Sequence, residues 1–394
     1  MDNQTDSQSP LGESLEDINN AHTKAYTPVI IFVILIIIVG LISNSLAFIF
    51  FSKKVIKSSF HYFISAISLN DALVNLTLIE DSVALFQYIN NDNTILCKLY
   101  YFFIHWFVGN SLLLIVAISA DRFRRVVYPF ARQMTVKIAR NAVVGTSLFS
   151  LSISVHYFYT CRIEHLEFLK GSNQTVVGYI CALSEEYPQA TVKKVFHITD
   201  ICLHVTSIGF LIIAYIIIVR KLMSSRLNVR TNIDACAHRK KSQDGPSKMA
   251  NVDDTIDEAD VNPSSNEAKN QDRVNPSFKF EHASEWKPSD SNIAINRNDA
   301  PFGLSETERA FSLTAFVISV ASVVSFVPYY VNMFNSEPNT DGKSLVYTVA
   351  DMMSRRSYML NSTVNPFIML YFNSSFRKFV VNIWCCLCPK RRRL

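Results

Sequence analysis

Residues 118–130, ISADRFRRVVYPF, end a long apolar stretch with an Asp-Arg pair and two further arginines. The apolar residues before this motif begin near position 99, so the stretch 99–120 is long enough for a helix to cross the roughly 30 Å hydrocarbon core of a bilayer. A carboxylate beside a guanidinium is costly inside that core but tolerated where a helix reaches the membrane surface. The motif therefore predicts the end of a membrane-spanning helix, with its charges at the interface.

Six other apolar stretches have a length suited to a membrane span, and together they predict a bundle of seven transmembrane helices. They lie at 28–52, 62–88, 141–160, 196–219, 311–335 and 345–372. The composition agrees, because 49% of the 394 residues are hydrophobic and only 18% are charged. We therefore expect an all-α membrane protein rather than a soluble domain.

The lysines and arginines between the spans predict the orientation, because short basic loops stay in the cytosol. Basic clusters follow spans one, three, five and seven, whereas the first 27 residues contain five acids and one lysine. This distribution places the N-terminus outside the cell and accounts for the net charge of +5 without a nucleic acid as partner. We expect a multi-pass protein of the plasma membrane whose first span serves as an uncleaved anchor.

The chain divides into five predicted segments. They are an extracellular tail at 1–27, helices one to five at 28–222, a disordered third cytosolic loop at 223–304, helices six and seven at 305–372, and an eighth helix with a cytosolic tail at 373–394. The loop is rich in polar residues without periodicity, which is typical of disorder. It contains no Gly-rich phosphate loop, paired-Cys metal spacing or nucleophile elbow, so nothing in it indicates an enzyme.

The cysteines and glycosylation motifs agree with this orientation. Cys97 and Cys181 both lie on the oxidising side of the membrane, where disulfides persist, and Cys161 near the same face could compete for a partner. The acceptor motif N-Q-T occurs at Asn3 and at Asn173, both on predicted extracellular segments. Three cysteines beside the basic cytosolic tail are candidates for palmitoylation, with idle thiols as the alternative: Cys385, Cys386 and Cys388.

An ordered set of short motifs runs along the predicted spans. In chain order they are LISNSLAF with Asn44, SLNDAL with Asp71, Cys97 followed by DRF with Arg122, VVYPF with Pro129, FVPYY with Pro328, NSTVNPF at 361–367 and NSSFRKF at 373–379. With seven spans and this order of motifs, the chain resembles the rhodopsin-like, or class A, family of G-protein-coupled receptors. The resemblance implies a seven-transmembrane helix bundle with a short amphipathic eighth helix, an extracellular ligand and a heterotrimeric G protein, with arrestin and receptor kinases as further partners.

The resemblance assigns the Asp-Arg pair to G-protein coupling. Asp121 would hold Arg122 at the cytosolic rim, and Glu308 at the start of span six would pair with Arg122 and keep helix six closed. Without the other motifs, the pair would be interpreted as two interfacial charges at a helix end. Met369 replaces the family's usual tyrosine, so the usual contact of that tyrosine with span five cannot form. The other switch positions carried over are Tyr215, Phe326, Pro328, Asn365 and Pro366.

Asp71 is a carboxylate in the middle of a span, where it is costly unless paired or hydrated. In the family that this chain resembles, the matching aspartate binds Na⁺, which implies an allosteric ion with Asp71 as its metal ligand and no other cofactor. The remaining oxygen-bearing positions of this implied site are Ser111, Asn361, Ser362 and Asn365. The alternative is a neutral Asp71 that bonds Asn44 and Asn365 without an ion.

The resemblance also narrows the class of ligand. Amine receptors carry an aspartate where this chain has Ile104, and opsins carry a lysine where it has Met359, so both classes are disfavoured. The aromatic and charged outer third of the spans favours a neuropeptide, with a lipid or other small molecule as the alternative. The predicted ligand contacts are Tyr101, His105, Tyr329, Asn332 and Arg355. Arg355 would bind a peptide carboxylate, or else form a structural pair with Asp351 or Asp81.

Two other functional classes, a transporter and an intramembrane enzyme, fit the sequence less well than a receptor does. A seven-span transporter would typically show an internal repeat and spans interrupted by Gly or Pro, whereas this chain has ten glycines and no repeat. An intramembrane enzyme would need a nucleophile with its base, or a metal cluster, and His105 and His204 lie on different spans without a matching acid or thiol pattern. We therefore expect a receptor and not an enzyme.

Overall fold

The computed structural model describes residues 15–54, 58–90, 92–170, 174–184, 186, 188–243, 306–335 and 345–387. These residues form the helices α1 (Leu15–Ser52), α2 (Ser59–Phe86), α3 (Thr94–Val127), α4 (Val136–Ser154), α5 (Tyr157–Thr160), α6 (Gln189–Gln243), α7 (Glu306–Asn335), α8 (Leu345–Arg355), α9 (Met359–Phe372) and α10 (Ser374–Leu387) and the strands β1 (Cys161–Lys170) and β2 (Gln174–Leu183). Residues 1–224 and 304–394 form one compact unit. A second unit, 225–303, contributes only the end of α6 to the described residues.

The predicted all-α bundle with an eighth helix is confirmed. Within the described part of the chain, six helices are long and apolar enough to cross a membrane, and they correspond to the first six predicted spans. The seventh predicted span, 345–372, is present as α8 and α9, separated by a turn at 356–358. The eighth helix is α10, and the hairpin of β1 and β2 was not predicted.

The turn between α8 and α9 is held by tight backbone hydrogen bonds and by α7. The amide of Ser357 donates to the Ser354 carbonyl at 3.1 Å, and the amide of Met359 donates to the Arg356 carbonyl at 3.0 Å. The Ser357 hydroxyl in turn accepts the Tyr329 amide at 3.1 Å. Because Tyr329 follows Pro328, which interrupts the hydrogen-bond ladder of α7, the turn satisfies a donor that the proline leaves without its usual partner.

Polar side chains cap several helices at the points where they leave the apolar region. The Asn93 side chain accepts the Leu96 amide at the start of α3, and the Thr135 hydroxyl accepts the Ile138 amide at the start of α4. At the start of α10, the Asn373 side chain accepts the Phe376 amide at 2.9 Å. Each cap satisfies one of the amides that a helix leaves unpaired in its first turn.

Two helices extend past predicted segment boundaries. Helix α1 begins at Leu15, within the predicted tail 1–27, because the buried Asn19 donates to the Phe86 carbonyl at 2.9 Å and accepts the Ile89 amide at 3.3 Å, so the end of α2 holds this part of α1. Helix α6 continues to Gln243, within the predicted loop 223–304, through a stretch without proline or glycine. Residues 1–14 and 244–305 lie outside the described residues.

Two large apolar clusters fill the bundle, one towards each end, and a smaller third cluster surrounds Cys97 and Tyr157. The first surrounds Phe51, Phe63 and Phe376 and includes α10, because the Phe376 ring packs against the Phe51 ring of α1. The second surrounds Val33, Leu78 and Ile104 on α1, α2 and α3. Lipid tails are as apolar as these side chains, so close van der Waals packing and hydrogen bonds between helices hold such clusters together in a membrane.

Helices α1 and α2 are in close contact at Gly40. A Cβ atom at Gly40 would lie 2.2 Å from the Asn75 Oδ1 atom, so only glycine fits against this side chain. Asn75 donates to the Asp71 carbonyl at 2.7 Å, which directs its amide along α2. Asn44, one turn after Gly40, donates to the Ser362 carbonyl at 2.6 Å and so joins α1 to α9. The close approach therefore positions three helices.

The hairpin covers one end of the bundle and is tied to α3 by a disulfide. Cys97 and Cys181 are bonded, with Cα atoms 5.6 Å apart, whereas Cys161 is a buried free thiol. The predicted disulfide is thus confirmed, and Cys161 does not compete in this structure. We call this the disulfide end, and the opposite end, which bears Asp121 and Arg122, the arginine end.

The hairpin also carries an exposed ion pair. Arg162 contacts Glu164 at 3.2 Å and Glu186 at 2.5 Å. Hydrogen bonding to the Arg162 guanidinium lowers the pKa of the Glu186 carboxyl. Because the Glu186 side chain is exposed and that of Arg162 is partly exposed, the pair orients β1 against the chain after β2 and contributes little to stability.

Replacing Gly40 by alanine is expected to destabilise the bundle, although alanine normally favours a helix by about 1 kcal/mol. The new methyl group would displace Asn75, at a cost of about 1–3 kcal/mol for overpacking. Thermal unfolding of the purified protein in detergent measures the effect. The matched control is Gly145→Ala on α4, where a Cβ meets no atom within 4 Å. Equal or higher unfolding midpoints for both variants would contradict the close contact.

Candidate functional site

A cavity of about 500 Å³ opens at the disulfide end of the bundle. Four of the five predicted ligand contacts line it, namely Tyr101, His105, Tyr329 and Arg355. The fifth, Asn332, lies beside the cavity and donates to the Asp351 carboxylate. The disulfide and the end of β2 form part of the wall, so the bond that ties the hairpin to α3 also shapes the cavity.

The wall on the α3 side is a stack of aromatic rings. The rings of His105 and Tyr157 lie 4.0 Å apart, and those of Tyr101 and Tyr157 lie 6.0 Å apart. His105 is held by the Tyr101 carbonyl at 2.8 Å. Tyr157 belongs to α5, the short helix between α4 and the hairpin. The predicted spans gave no indication that Tyr157 lines the cavity. These rings provide a rigid apolar surface with polar edges.

The opposite wall carries a buried ion pair between α2 and the turn after α8. Arg356 binds Asp81 through two nitrogens, with Nε–Oδ2 at 2.8 Å and Nη2–Oδ1 at 3.0 Å. The Tyr100 hydroxyl donates to the same carboxylate at 3.2 Å. The Arg356 and Asp81 side chains are 15% and 8% exposed, so the two charges depend on each other.

Arg355 has a different environment from its neighbour. Its side chain is 48% exposed, and its Nε atom lies 2.9 Å from the Asp351 carboxylate one turn earlier on α8. This is the intrahelical pair that the sequence left open as the alternative to a ligand contact. Arg355 therefore reaches the cavity with part of its charge already compensated.

The centre of the bundle contains a polar network around Asp71. Ser111 donates to the carboxylate at 2.9 Å and Asn365 at 2.8 Å, and Asn361 donates to Ser111 at 3.3 Å. Ser362 bonds the Met359 carbonyl instead of the carboxylate. The Oδ1 atoms of Asn361 and Asn365 are buried and have no hydrogen-bond partner among the described residues. These unpaired oxygens leave acceptor capacity for a hydrated cation or for water.

At the arginine end, the Asp-Arg pair lies within a larger group that we call the arginine cluster: Ser59, Asp121, Arg122, Arg125 and Glu308. Arg122 contacts the Asp121 carboxylate and lies 2.7 Å from Glu308 on α7. Its guanidinium is fully buried, with its carbon 4.9 Å from the centre of the Phe60 ring. A buried guanidinium requires such partners, because an uncompensated charge is costly.

Arg125 is one of the two members of the cluster, with Ser59, that the sequence analysis missed. It contacts both acids of the cluster, Asp121 and Glu308, at 3.4 Å, and donates to Ser59 at 2.9 Å. Ser59 in turn donates to Asp121 at 3.0 Å. The sequence does contain a signal for this contact, because Arg125 lies four residues after Asp121 and this spacing places both side chains on one face of a helix.

The Tyr215 hydroxyl joins three helices on the same side of the bundle. It lies 3.0 Å from the Ser119 hydroxyl on α3 and 3.3 Å from the Ser319 hydroxyl on α7. Met369, which stands where a tyrosine was expected, is buried in the apolar core. The two serines thus satisfy the hydroxyl of Tyr215 without a tyrosine at position 369 of α9.

The other predicted switch and modification residues have simpler environments. Phe326 forms part of the cavity wall, 5.3 Å from the His204 ring, while Pro328 and Pro366 lie inside α7 and α9. Cys385 is an exposed thiol near the end of α10. Outside the described residues, or with a side chain that is not described, lie four predicted modification sites: Asn3, Asn173, Cys386 and Cys388.

Substitution of either partner in the Arg356–Asp81 pair is expected to destabilise the protein by about 3 kcal/mol, because it leaves a buried charge alone. Thermal unfolding of Arg356→Gln and Asp81→Asn measures this, and the double variant should lose less than the sum. Arg355→Gln is the matched control and should cost about 1 kcal/mol or less, since its pair is exposed. Equal losses at the two arginines would contradict the different burial of the pairs.

The chain matches the model of one protein family and is similar in sequence to two curated receptors. The model of the family described as 7 transmembrane receptor (rhodopsin family) matches residues 43–369. The chain is 24% identical over 251 residues to Neuropeptide FF receptor 1 of Rattus norvegicus, which covers 58% of this chain and 57% of that receptor. It is 25% identical over 179 residues to Neuropeptide FF receptor 2 of Mus musculus, which covers 41% of this chain and 40% of that receptor. The matched segments thus span about half the length of these curated relatives.

Proposed function

Because this chain belongs to the rhodopsin family of seven-transmembrane receptors, we propose that it binds an extracellular peptide in the cavity at the disulfide end and activates a heterotrimeric G protein at the arginine end. The observation that carries the proposal is the presence of both sites in one bundle. A cavity of about 500 Å³ lies at one end, and a buried arginine held by an acid of α7 lies at the other. The family consists of receptors, and its members are not enzymes.

Size and lining of the cavity support a peptide as ligand. Its volume falls within the range of roughly 300–1,000 Å³ that is usual for ligand sites. Rings of Tyr101, His105 and Tyr329 offer apolar faces for side chains and polar edges for backbone groups. The names of the two relatives point to the same ligand class. A lipid or other small molecule would use the rings but leave the charged groups of the cavity without a role.

The charge distribution supports an orientation with the N-terminus outside the cell. Basic residues lie where α3 ends and α4 begins, at the arginine end, and such residues remain on the cytosolic side. They are Arg124 in the last turn of α3, Arg132 between the helices, and Lys137 and Arg140 near the start of α4. Receptor kinases and arrestin would then meet the cytosolic surface together with the G protein. The exposed Cys385 on α10 lies on the same side, where palmitoylation would anchor the helix to the membrane.

The arginine cluster supports a mechanism in which an ion pair keeps α7 next to α3. Glu308 accepts from both arginines, so displacement of α7 from α3 would release Arg122 and Arg125 together. A ligand that favours the open arrangement by even about 1 kcal/mol shifts a two-state equilibrium roughly fivefold. Arg122, once released, would present its donors to the G protein.

The network around Asp71 lies between the two sites and fits a sodium ion. Its oxygen-rich side chains, with the unpaired Oδ1 atoms of Asn361 and Asn365, are the ligand type of a hard cation. A bound ion would compensate the Asp71 charge and so favour one packing of α2, α3 and α9. Ser111 and Asn365 already orient the carboxylate for this role.

The function is tested in membranes of cells that express the protein. Neuropeptide FF and a panel of other neuropeptides are added, and nucleotide exchange on co-expressed G proteins is measured. We expect at least one peptide to stimulate exchange in a saturable manner, with no response in membranes that lack the protein. Stimulation by lipids alone would favour the small-molecule alternative, and absence of exchange at verified surface expression would contradict the proposal.

Loss of the ion pairs with Glu308 is expected to raise basal nucleotide exchange. Glu308→Gln removes both ion pairs and Arg125→Gln removes one, so each variant should favour the open arrangement. A loss of about 1 kcal/mol would raise the ratio of open to closed protein roughly fivefold. Arg124→Gln is the matched control, because among the described residues Arg124 donates to the exposed Arg132 carbonyl and to no acid. The result is checked by exchange without ligand at matched expression. Unchanged basal exchange in Glu308→Gln would show that the pair does not restrain α7.

A further inference from the structure

Among the described residues that line the cavity, the charges do not balance. They include three acids and two arginines, and a fourth acid, Asp351, pairs with one of these arginines. Asp81 is bound by Arg356, and Asp351 is bound by Arg355. Both positive side chains are therefore engaged by acids of the receptor itself. The remaining two carboxylates belong to Glu80 on α2 and Asp200 on α6.

Glu80 and Asp200 have no hydrogen-bond or ion-pair partner for their carboxylates among the described residues. Both are partly buried, so each carboxylate has lost part of its water without gaining a partner from the protein. Such a group stabilises a cation that enters the cavity, because the desolvation of the carboxylate is already partly complete. The excess of two acids gives the cavity a negative potential at the disulfide end.

Asp200 lies in an aromatic environment that suits a positive group. It lines the cavity together with Tyr157, Tyr329 and Tyr330. The Tyr329 and Tyr330 rings lie 5.3 Å apart, and the His204 ring lies 5.6 Å from that of Tyr330. Aromatic faces attract guanidinium and ammonium groups, so rings and carboxylate favour the same ligand chemistry.

We infer that the cavity selects a ligand with a positively charged group, an arginine or lysine side chain or a free amino terminus, and that Asp200 is the carboxylate that pairs with it. Glu80 adds to the negative potential from α2. This inference rests on the proposed peptide-binding function and specifies its ligand. From the sequence, Arg355 was expected to bind a negatively charged group of the ligand. The cavity instead favours a positively charged group, because Asp351 already pairs with Arg355.

The first test measures binding without any requirement for signalling. The full-length protein is purified in detergent and incubated with acetyl-tyrosyl-arginine amide or with its citrulline analogue, which has nearly the same shape without the charge. At about 10 mM, which saturates a millimolar site, we expect only the arginine probe to raise the unfolding temperature. Asp200→Asn should abolish the increase. The matched control, Asp92→Asn, removes an exposed acid that does not line the cavity and should retain it.

The second test uses signalling. Peptides that stimulate nucleotide exchange are resynthesised with citrulline for arginine, acetyl-lysine for lysine, or an acetylated amino terminus, which distinguishes the three sources of charge. We expect one of these changes to lower potency about tenfold or more in the parent, and Asp200→Asn to lower the potency of the unmodified peptide similarly. The two losses together should not add, because they remove the same pair. Glu80→Gln should give a smaller loss.

The outcomes separate this inference from the proposed function. Equal stabilisation by the arginine and citrulline probes, no stabilisation by either, or full retention of the increase in Asp200→Asn would each overturn the inference. Active peptides that tolerate all three neutral replacements would also overturn it, while leaving the peptide-receptor function in place. If no peptide stimulates exchange but the arginine probe still requires Asp200, the proposed function fails and the charge selectivity of the cavity stands.

Discussion

The buried carboxylate of Asp71 is the interaction on which the central packing of the bundle depends. It accepts hydrogen bonds from Ser111 on α3 and Asn365 on α9, so one side chain on α2 relates three helices. A fully buried acid without these donors would be costly, which makes their positions mutually dependent. Gly40 then admits α1 against α2 beside this network, and Asn44 attaches α1 to α9. The network thus sets the helix positions that separate the cavity from the arginine cluster.

Each end of the bundle resolves a local excess of charge in a different way. At the arginine end, two acids and a serine surround two arginines, so the charges are satisfied within the protein. At the disulfide end, two acids remain without a partner among the described residues and face a cavity. An internally satisfied cluster can hold a resting arrangement, whereas an unsatisfied wall favours a ligand that supplies the missing charge. Under the proposed function, this difference would keep the arginine end closed and leave the cavity able to bind a ligand.

Local patterns predicted a large part of the fold and some of the site. Apolar length predicted the six helices that can cross a membrane, whereas the seventh predicted span, 345–372, is divided into α8 and α9. The motifs also predicted that Ser111 and Asn365 lie beside Asp71, and that Glu308 lies beside Arg122. The hairpin was missed, because its register of β1 with β2 pairs residues up to 22 positions apart and leaves no helical period to detect. Helix α1 extends beyond the predicted span 28–52, because contacts of Asn19 with the end of α2 continue the helix where the sequence is no longer apolar.

Apolar length and the position of charges are local properties, so the sequence alone predicted the membrane-spanning helices, the three cysteines on the oxidising side and the residue types at each end. The choice among those cysteines, and the partner of each charge, follow from the tertiary structure. Arg355 and Arg356 are adjacent, yet a rotation of about 100° directs one to its own helix and the other to Asp81 across the bundle. For the same reason, Arg125 contacts the acids of the arginine cluster, whereas the Asp200 carboxylate has no partner among the described residues. Pairing depends on the rotation and spacing of neighbouring helices, and these follow from packing over the whole bundle.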